Sequence, residues 1–214
     1  ILACLIEQGT LKKSKELKIQ KNFYKLDKEF FLKTLLQSIE ESKKNIKIVS
    51  STGYNSREIL YLREKYKFKK SQDFYMVGGM GHTSSVVLGY SLNSKKNVIC
   101  VDGDGSFLMH LGSIKTLGTF ANKNMKYFLL NNNSHDSVGG QNTYTNTMNI
   151  KNLAKSFSFQ SYYCIKNDKN LKKKINRILT QNKTIFVEVK ISNSKISKLP
   201  RPNDLIKVKN QFMK

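Results

Sequence analysis

The sequence predicts a doubly wound α/β fold, a mostly parallel sheet with helices on both faces. Three observations predict it. Short apolar or β-branched runs alternate with helical patterns along the chain, as parallel strands joined by crossover helices require. The run "NVICV" (97–101) is continuously apolar after Asn97, as a strand buried on both faces is. Glycine-rich polar turns follow one strand after another, at the edge where open α/β sheets bind ligands. With 214 residues and 39% hydrophobic content, the chain can bury one sizeable core.

Each element has its own signal. Residues 11–27 are Lys-rich, show little periodicity and read as a linker. From Lys28 a helix is predicted, because Phe31, Leu35 and Ile39 recur every four residues beside Leu32 and Leu36. "IKIVS" (46–50) is a β-branched strand; the turn cluster "STGYNS" ends it, and "SREILYLREKY" reads as a helix. "DFYMV" (73–77) is a strand, followed by "GGMGHTSS" and the small-residue helix "SSVVLGYSL". After "NVICV" comes one helix, "SFLMHLGSIKTLGTF", and the strand "MKYFLL" (125–130). "NIKNLAKSF" is helical, "SYYCI" a strand, "NLKKKINRILT" a helix and "TIFVEVKI" a last strand. The expected organisation is the end of a preceding domain and a linker over 1–27, a ligand-binding domain over 28–192, and a peripheral basic tail over 193–214. The chain opens on Ile1 with "ILACLIEQGT", which reads as a strand end and turn and is expected to continue from sequence upstream.

Composition narrows the function classes. The net charge of +23 raises the question of nucleic acid, but nearly all the cations are Lys, the Arg being Arg57, Arg63, Arg177 and Arg201. A nucleic-acid surface draws on Arg for bidentate contacts, so no nucleic-acid partner is expected; the charge instead favours an anionic substrate. No apolar run approaches the roughly 20 residues that span a membrane. Cys4, Cys100 and Cys164 lack metal-like spacing and sit in apolar contexts, as buried thiols of a reducing, cytoplasmic compartment do.

The stretch "VDGDGSFLMHLGSIKTLGTFANKNMKYFLLNNNSHDSVGGQ" (101–141) carries the chemistry. Gly103 and Gly105 permit a sharp turn and close approach of a ligand. Ser106 opens a helix, whose N-terminus presents N–H groups to phosphate. Asp104 would repel that phosphate unless a divalent cation bridges the two, and Mg²⁺ takes such hard oxygen ligands. Asn132, at the end of the next strand, adds a neutral carboxamide oxygen. The pattern is a metal–diphosphate clamp built from neighbouring strand-end loops.

"GDGS" followed at this spacing by "NN" resembles the signature of thiamine diphosphate-dependent enzymes. By that resemblance Asp104, Asn132 and the Ser134 carbonyl hold Mg²⁺, while Gly105 and Ser106 meet the diphosphate. "VGGMGHTSSVVLGYSL" resembles the segment beneath the aminopyrimidine ring, with Met80 as the apolar wedge and the Gly78 carbonyl as acceptor. "SSTGYNSRE" resembles the diphosphate-side turn, with Thr52 and Gly53 as contacts and Ser56 as contact or helix cap. Within the family, "STGYNSRE", "DFYMVGGMGHTSSVVLGYSL" and "LLNNNSHDSVGGQNT" look most like phosphonopyruvate decarboxylases, with sulfopyruvate decarboxylases close behind. The implied reaction is decarboxylation of a 2-keto acid, the cofactor serving as electron sink. His135, His82 and Asp136, in loops facing the expected site, are the candidate proton-transfer or anion-contact groups; His110 is expected to be packed within its helix. There are departures. Asn131 and Asn133 stand where the family typically has aspartate and glycine, and Tyr54 where lysine is typical. The family also activates its cofactor with a glutamate from a pyrimidine-binding domain, and Glu7 is in the wrong context for that role. The missing domain is expected in the same full-length chain or on a partner subunit, within an oligomer. A non-catalytic basic module is the contrasting reading; intact Asp104 and Asn132 argue against it.

Overall fold

The computed structural model describes residues 10, 22, 24–69, 73–193, 196 and 198–214. The opening strand and turn read at Ile1–Thr10, apart from Thr10 itself and including Cys4 and Glu7, and most of the 11–27 linker lie outside the described residues.

The chain begins its order with α1 (Lys28–Glu41), β1 (Ile46–Ser50), α2 (Tyr54–Lys65), β2 (Asp73–Tyr75), α3 (Thr83–Asn93) and β3 (Asn97–Gly103). Then come α4 (Asp104–Met109), α5 (Leu111–Phe120), β4 (Met125–Asn131), α6 (Ile150–Ser156), β5 (Ser161–Ile165), α7 (Leu171–Thr180), β6 (Ile185–Lys190) and α8 (Leu205–Phe212). The six strands form one sheet in the order β2-β1-β3-β4-β6-β5, with every pair parallel. The predicted fold class is therefore the observed one.

Alternation along the strands divides the interior into two layers. Ile46 and Ile48 of β1, Ile99 and Val101 of β3, and Phe128 and Leu130 of β4 face α1, α2 and α7. Val98 and Cys100, Tyr127 and Leu129, and Phe186 face the opposite layer with α3, α5 and α6. α1 is capped by Asp27, whose carboxylate accepts from the Phe30 N–H at 2.9 Å. It seats Phe31 against Phe128 with ring centroids 6.2 Å apart.

Three details differ from the sequence reading. The single helix expected after the glycine turn is two, because His110 leaves the helical region at φ −135°, ψ 54° and its carbonyl accepts from the Ser113 N–H of the next helix. Cys164 is exposed rather than buried, since β5 is the sheet edge. The basic tail is not wholly peripheral. α8 packs Phe212, only 3% exposed, between Phe74 and Tyr90.

The topology positions the site. From β1 the chain crosses to β2 on one side, and from β2 it crosses back to β3 on the other. The carboxyl ends of β1 and β3 therefore flank a topological switch point, where the loops diverge and leave a crevice. Among the described residues no helix is long and apolar enough to cross a membrane.

Candidate functional site

The loops after β1, β3 and β4 enclose one cleft at this switch point. Its lining includes Ser51, Thr52, Tyr54 and Asn55 from the first loop, Gly103 to Ser106 from the second, and Asn132 and Ser134 to Ser137 from the third.

The first loop is shaped by Gly53. It sits at φ +86°, where a side chain is strained, and a Cβ there would meet Ser137 Oγ at 2.7 Å. Gly53 precedes α2 without a side-chain cap, and Tyr54 and Asn55 of the first turn line the cleft. Ser56 is buried, and its hydroxyl lies 2.8 Å from the Ser51 carbonyl oxygen and 3.0 Å from that of Ser50. It braces the turn from within and does not line the cleft.

In the second loop Asp104 is 2% exposed. Its carboxylate accepts from the hydroxyls of Thr143 and Thr145, the latter at 3.2 Å. Burial still raises its pKa above the ordinary carboxylate value, with the threonine hydroxyls opposing the shift. Asp102, two residues earlier, points into the opposite layer. There the Tyr127 hydroxyl donates to it at 2.7 Å and the Gly103 N–H at 3.0 Å. Gly105 lies under the His135 ring, and a Cβ would fall 2.4 Å from His135 Nδ1. Ser106 uses its hydroxyl structurally, accepting from the Gly81 N–H at 3.0 Å and bonding Asp102. Only its backbone remains for an anion.

In the third loop Asn132, 6% exposed, accepts from the Ser134 N–H at 3.1 Å and donates to Asp136 at 2.7 Å. Asn193 also donates to Asp136. The departures from the family pattern have physical accounts. Asn133 sits at φ +58°, a left-handed conformation that asparagine tolerates better than other non-glycine residues. Asn131 donates to Glu188 at 3.1 Å and accepts from the Asn133 N–H and the Thr145 hydroxyl. An aspartate there would set two carboxylates against each other. Tyr54 carries the Arg57 guanidinium 5.7 Å above its ring.

The structure thus brings together Thr52, Asp104, Gly105, Ser106, Asn132, Ser134, His135 and Asp136, with Met80 closing one side. Gly53 shapes the adjoining wall. Gly78 and His82 are not part of the cleft lining. Gly78 lies at φ +73° on the exposed turn after β2. His82 is also exposed and packs against His110 in a tilted arrangement, with ring centroids 4.2 Å apart. His110 is therefore not packed inside a helix but stands exposed at the break between α4 and α5. Thr143, Thr145 and Glu188 were not singled out by sequence. The only signal for the threonines is the polar run "GGQNTYTNT", which has no periodicity to mark them.

The oxygen set fits a hard cation. Asp104 supplies a carboxylate and Asn132 a carboxamide, and the Ser134 hydroxyl in the same lining is buried with no hydrogen-bond partner. Among the described residues no cluster of three His, Cys, Asp or Glu could hold a metal. An ion here would rest on one carboxylate and neutral oxygens, which leaves positions open for phosphate.

Comparison with known proteins agrees with this geometry. The family model for "Thiamine pyrophosphate enzyme, C-terminal TPP binding domain" matches residues 52–189. Phosphonopyruvate decarboxylase of Streptomyces viridochromogenes is 33% identical over 164 residues, which is 77% of this chain and 40% of that protein. Sulfopyruvate decarboxylase subunit beta of Methanocaldococcus jannaschii is 40% identical over 109 residues, 50% of this chain and 55% of that subunit. The chain spans less than half the length of the first relative and little more than half that of the second. A solved structure, 2-oxoglutarate:ferredoxin oxidoreductase from Magnetococcus marinus, matches with a TM-score of 0.61 at 17% identity, over 79% of this chain and 63% of that one, which establishes a shared fold. The glycine turn bearing Asp104, the asparagine of the next loop and the family match over 52–189 converge, and the chain belongs to the thiamine diphosphate (thiamine pyrophosphate) enzyme family, whose C-terminal cofactor-binding domain it carries.

Proposed function

We propose that this chain supplies the diphosphate- and metal-holding half of a Mg²⁺-dependent, thiamine diphosphate-dependent decarboxylase acting on phosphonopyruvate. The observation that carries the reading is the buried Asp104 carboxylate in one cleft with Asn132 and Ser134. Identity to phosphonopyruvate decarboxylase over 77% of the chain supports the substrate. The products are phosphonoacetaldehyde and CO₂.

Asp104, Asn132 and the Ser134 carbonyl would hold Mg²⁺, and the backbone of Gly105 and Ser106 with Thr52 and Gly53 would meet the diphosphate. When bound, thiamine diphosphate supplies the electron sink for the electrons released as CO₂ leaves. Met80, in the cleft lining, would give the bound cofactor an apolar support, and the Gly78 carbonyl, on the exposed turn outside that lining, would accept from its amino group. His135, half-buried over Gly105, moves or steadies a proton at its imidazole, and Asp136 fixes Asn132 through the 2.7 Å amide contact. His82, outside the cleft lining, acts only if the missing wall brings substrate to the turn after β2. That wall is a pyrimidine-binding domain carrying the activating glutamate, from the same full-length chain or a partner subunit, in a cytoplasmic oligomer.

A second reading takes sulfopyruvate as substrate, favoured by the 40% identity to the Methanocaldococcus jannaschii beta subunit. The test is CO₂ release by the complete protein, or by this chain with its missing half, given Mg²⁺, cofactor and either phosphonopyruvate, sulfopyruvate or pyruvate. Preference for phosphonopyruvate supports the first reading and preference for sulfopyruvate the second. No turnover of any of the three contradicts both.

A further inference from the structure

A second cavity of about 280 Å³ adjoins the polar cleft. The two share Thr52, Met80 and Ser137, so the second opens beside the cofactor's expected bend. Its lining combines Met76, Val77, Met80 and Val138 with Arg57 and Arg201. Among the described residues no Asp or Glu lines it.

The two arginines stand out against the composition. The chain has 38 Lys and Arg together, of which only Arg57, Arg63, Arg177 and Arg201 are Arg. Arg63 is committed to a buried ion pair with Asp73 at 2.8 Å. Two of the remaining three meet in one cavity, although nearly all the cations elsewhere in the chain are Lys. Arginine is the residue whose planar fork matches a three-oxygen anion, and lysine does not replace it there.

Arg201 is also held rigidly. The chain's only two prolines, Pro200 and Pro202, bracket it. Each fixes its own φ, and Pro202 confines Arg201 to extended backbone. The segment is then anchored from below. Arg57 Nε donates to the Pro200 carbonyl at 3.1 Å, and Arg57 Nη2 donates to the Leu199 carbonyl. Leu199 itself is buried. The exposed guanidinium of Arg201 is therefore presented from a stiff, tethered strap, which lowers the ordering cost of binding.

We infer that this cavity is the subsite for the second anionic group of the substrate, a phosphonate or sulfonate, with Arg201 its specificity-determining residue and Arg57 a positioning residue that holds the 199–202 strap. The inference rests on the proposed 2-keto acid chemistry but names residues that reading does not use.

The test uses the complete protein with Mg²⁺ and thiamine diphosphate, and variants Arg201→Gln, Arg201→Lys and Arg57→Gln. Kinetics compare phosphonopyruvate and sulfopyruvate with pyruvate, which lacks the second anion. Arg201→Gln is expected to lower the ratio of kcat/KM for the preferred anionic keto acid over pyruvate by roughly 10- to 100-fold, through KM, as loss of a charge-assisted hydrogen bond does. Arg201→Lys recovers part of it, and Arg57→Gln gives a smaller loss in the same direction. The arm that responds identifies phosphonate or sulfonate. A ratio unchanged by Arg201→Gln overturns the inference. So does an equal loss on pyruvate, the mark of a merely structural role. Calorimetric titration with methylphosphonate and methanesulfonate keeps the inference separate from the decarboxylase reading. If no keto acid turns over, the decarboxylase reading has failed, and at least a tenfold weakening of anion binding in Arg201→Gln still upholds the subsite. Anion binding that is absent, or indifferent to Arg201, overturns it.

Discussion

A carboxylate buried to 2% exposure and served only by neutral donors, the Thr143 and Thr145 hydroxyls and backbone N–H groups, sits in surroundings that disfavour its charge. A divalent cation reverses that, so Asp104→Ala is expected to abolish Mg²⁺-dependent cofactor binding and to cut CO₂ release by about 100-fold or more, measured side by side with the wild type. Gly105→Ala tests the cradle. Its Cβ would collide with the His135 ring, and cofactor affinity is expected to fall at least about tenfold with unchanged far-UV circular dichroism. A third residue reports on the fold. Lys126 is buried, and its ammonium donates to the Lys123 and Lys183 carbonyls. Desolvation by burial lowers its pKa from 10.5 to about 8. Between those values the unfolded chain carries a proton that the folded chain has shed. Wild type should therefore gain stability relative to Lys126→Met as pH rises from about 8 to 10.5, measured by urea unfolding of both. A constant difference across that range would contradict the buried amine.

At the scale of elements, the three-residue strand β2 has little sheet pairing of its own. Asp73 secures it by accepting from Arg63 of α2, at 2.8 and 2.9 Å, and from the Tyr75 hydroxyl. Asp73→Ala leaves a fully buried guanidinium with only the longer 3.8 Å ion pair to Glu40 and is expected to cost about 3–5 kcal/mol in urea unfolding. The strands and most helices could be read from sequence because their apolar runs are what the sheet buries on both faces, as in Val98–Val101 and Met125–Leu130. The break at His110 could not, because the helical spacing of Leu108, Leu111 and Ile114 runs through it. α8 was masked by its lysines, although Leu205, Val208 and Phe212 keep helical spacing. In the site, glycine turns and strand-end amides were legible because local chemistry demands them. Thr143 and Thr145 reach Asp104 from about forty positions away, a contact that only the tertiary fold creates.

For the whole molecule, the net charge of +23 bears on function through its long-range field. An anionic keto acid should approach faster at low salt, so kcat/KM for a doubly anionic substrate is expected to fall several-fold between about 50 and 500 mM ionic strength. Pyruvate, with one charge, should fall less; equal salt dependence would contradict steering. The switch-point crevice between β1 and β3 gathers the metal oxygens, the glycine cradle and the arginine-lined cavity on one edge of the sheet.

The most direct measurement is equilibrium binding of thiamine diphosphate to the complete protein by calorimetry, with Mg²⁺ and with excess chelator, for wild type and Asp104→Ala. The account predicts binding by the wild type that requires Mg²⁺ and is lost in the variant. Binding of equal strength with and without the cation, or in Asp104→Ala, would contradict the metal–diphosphate clamp.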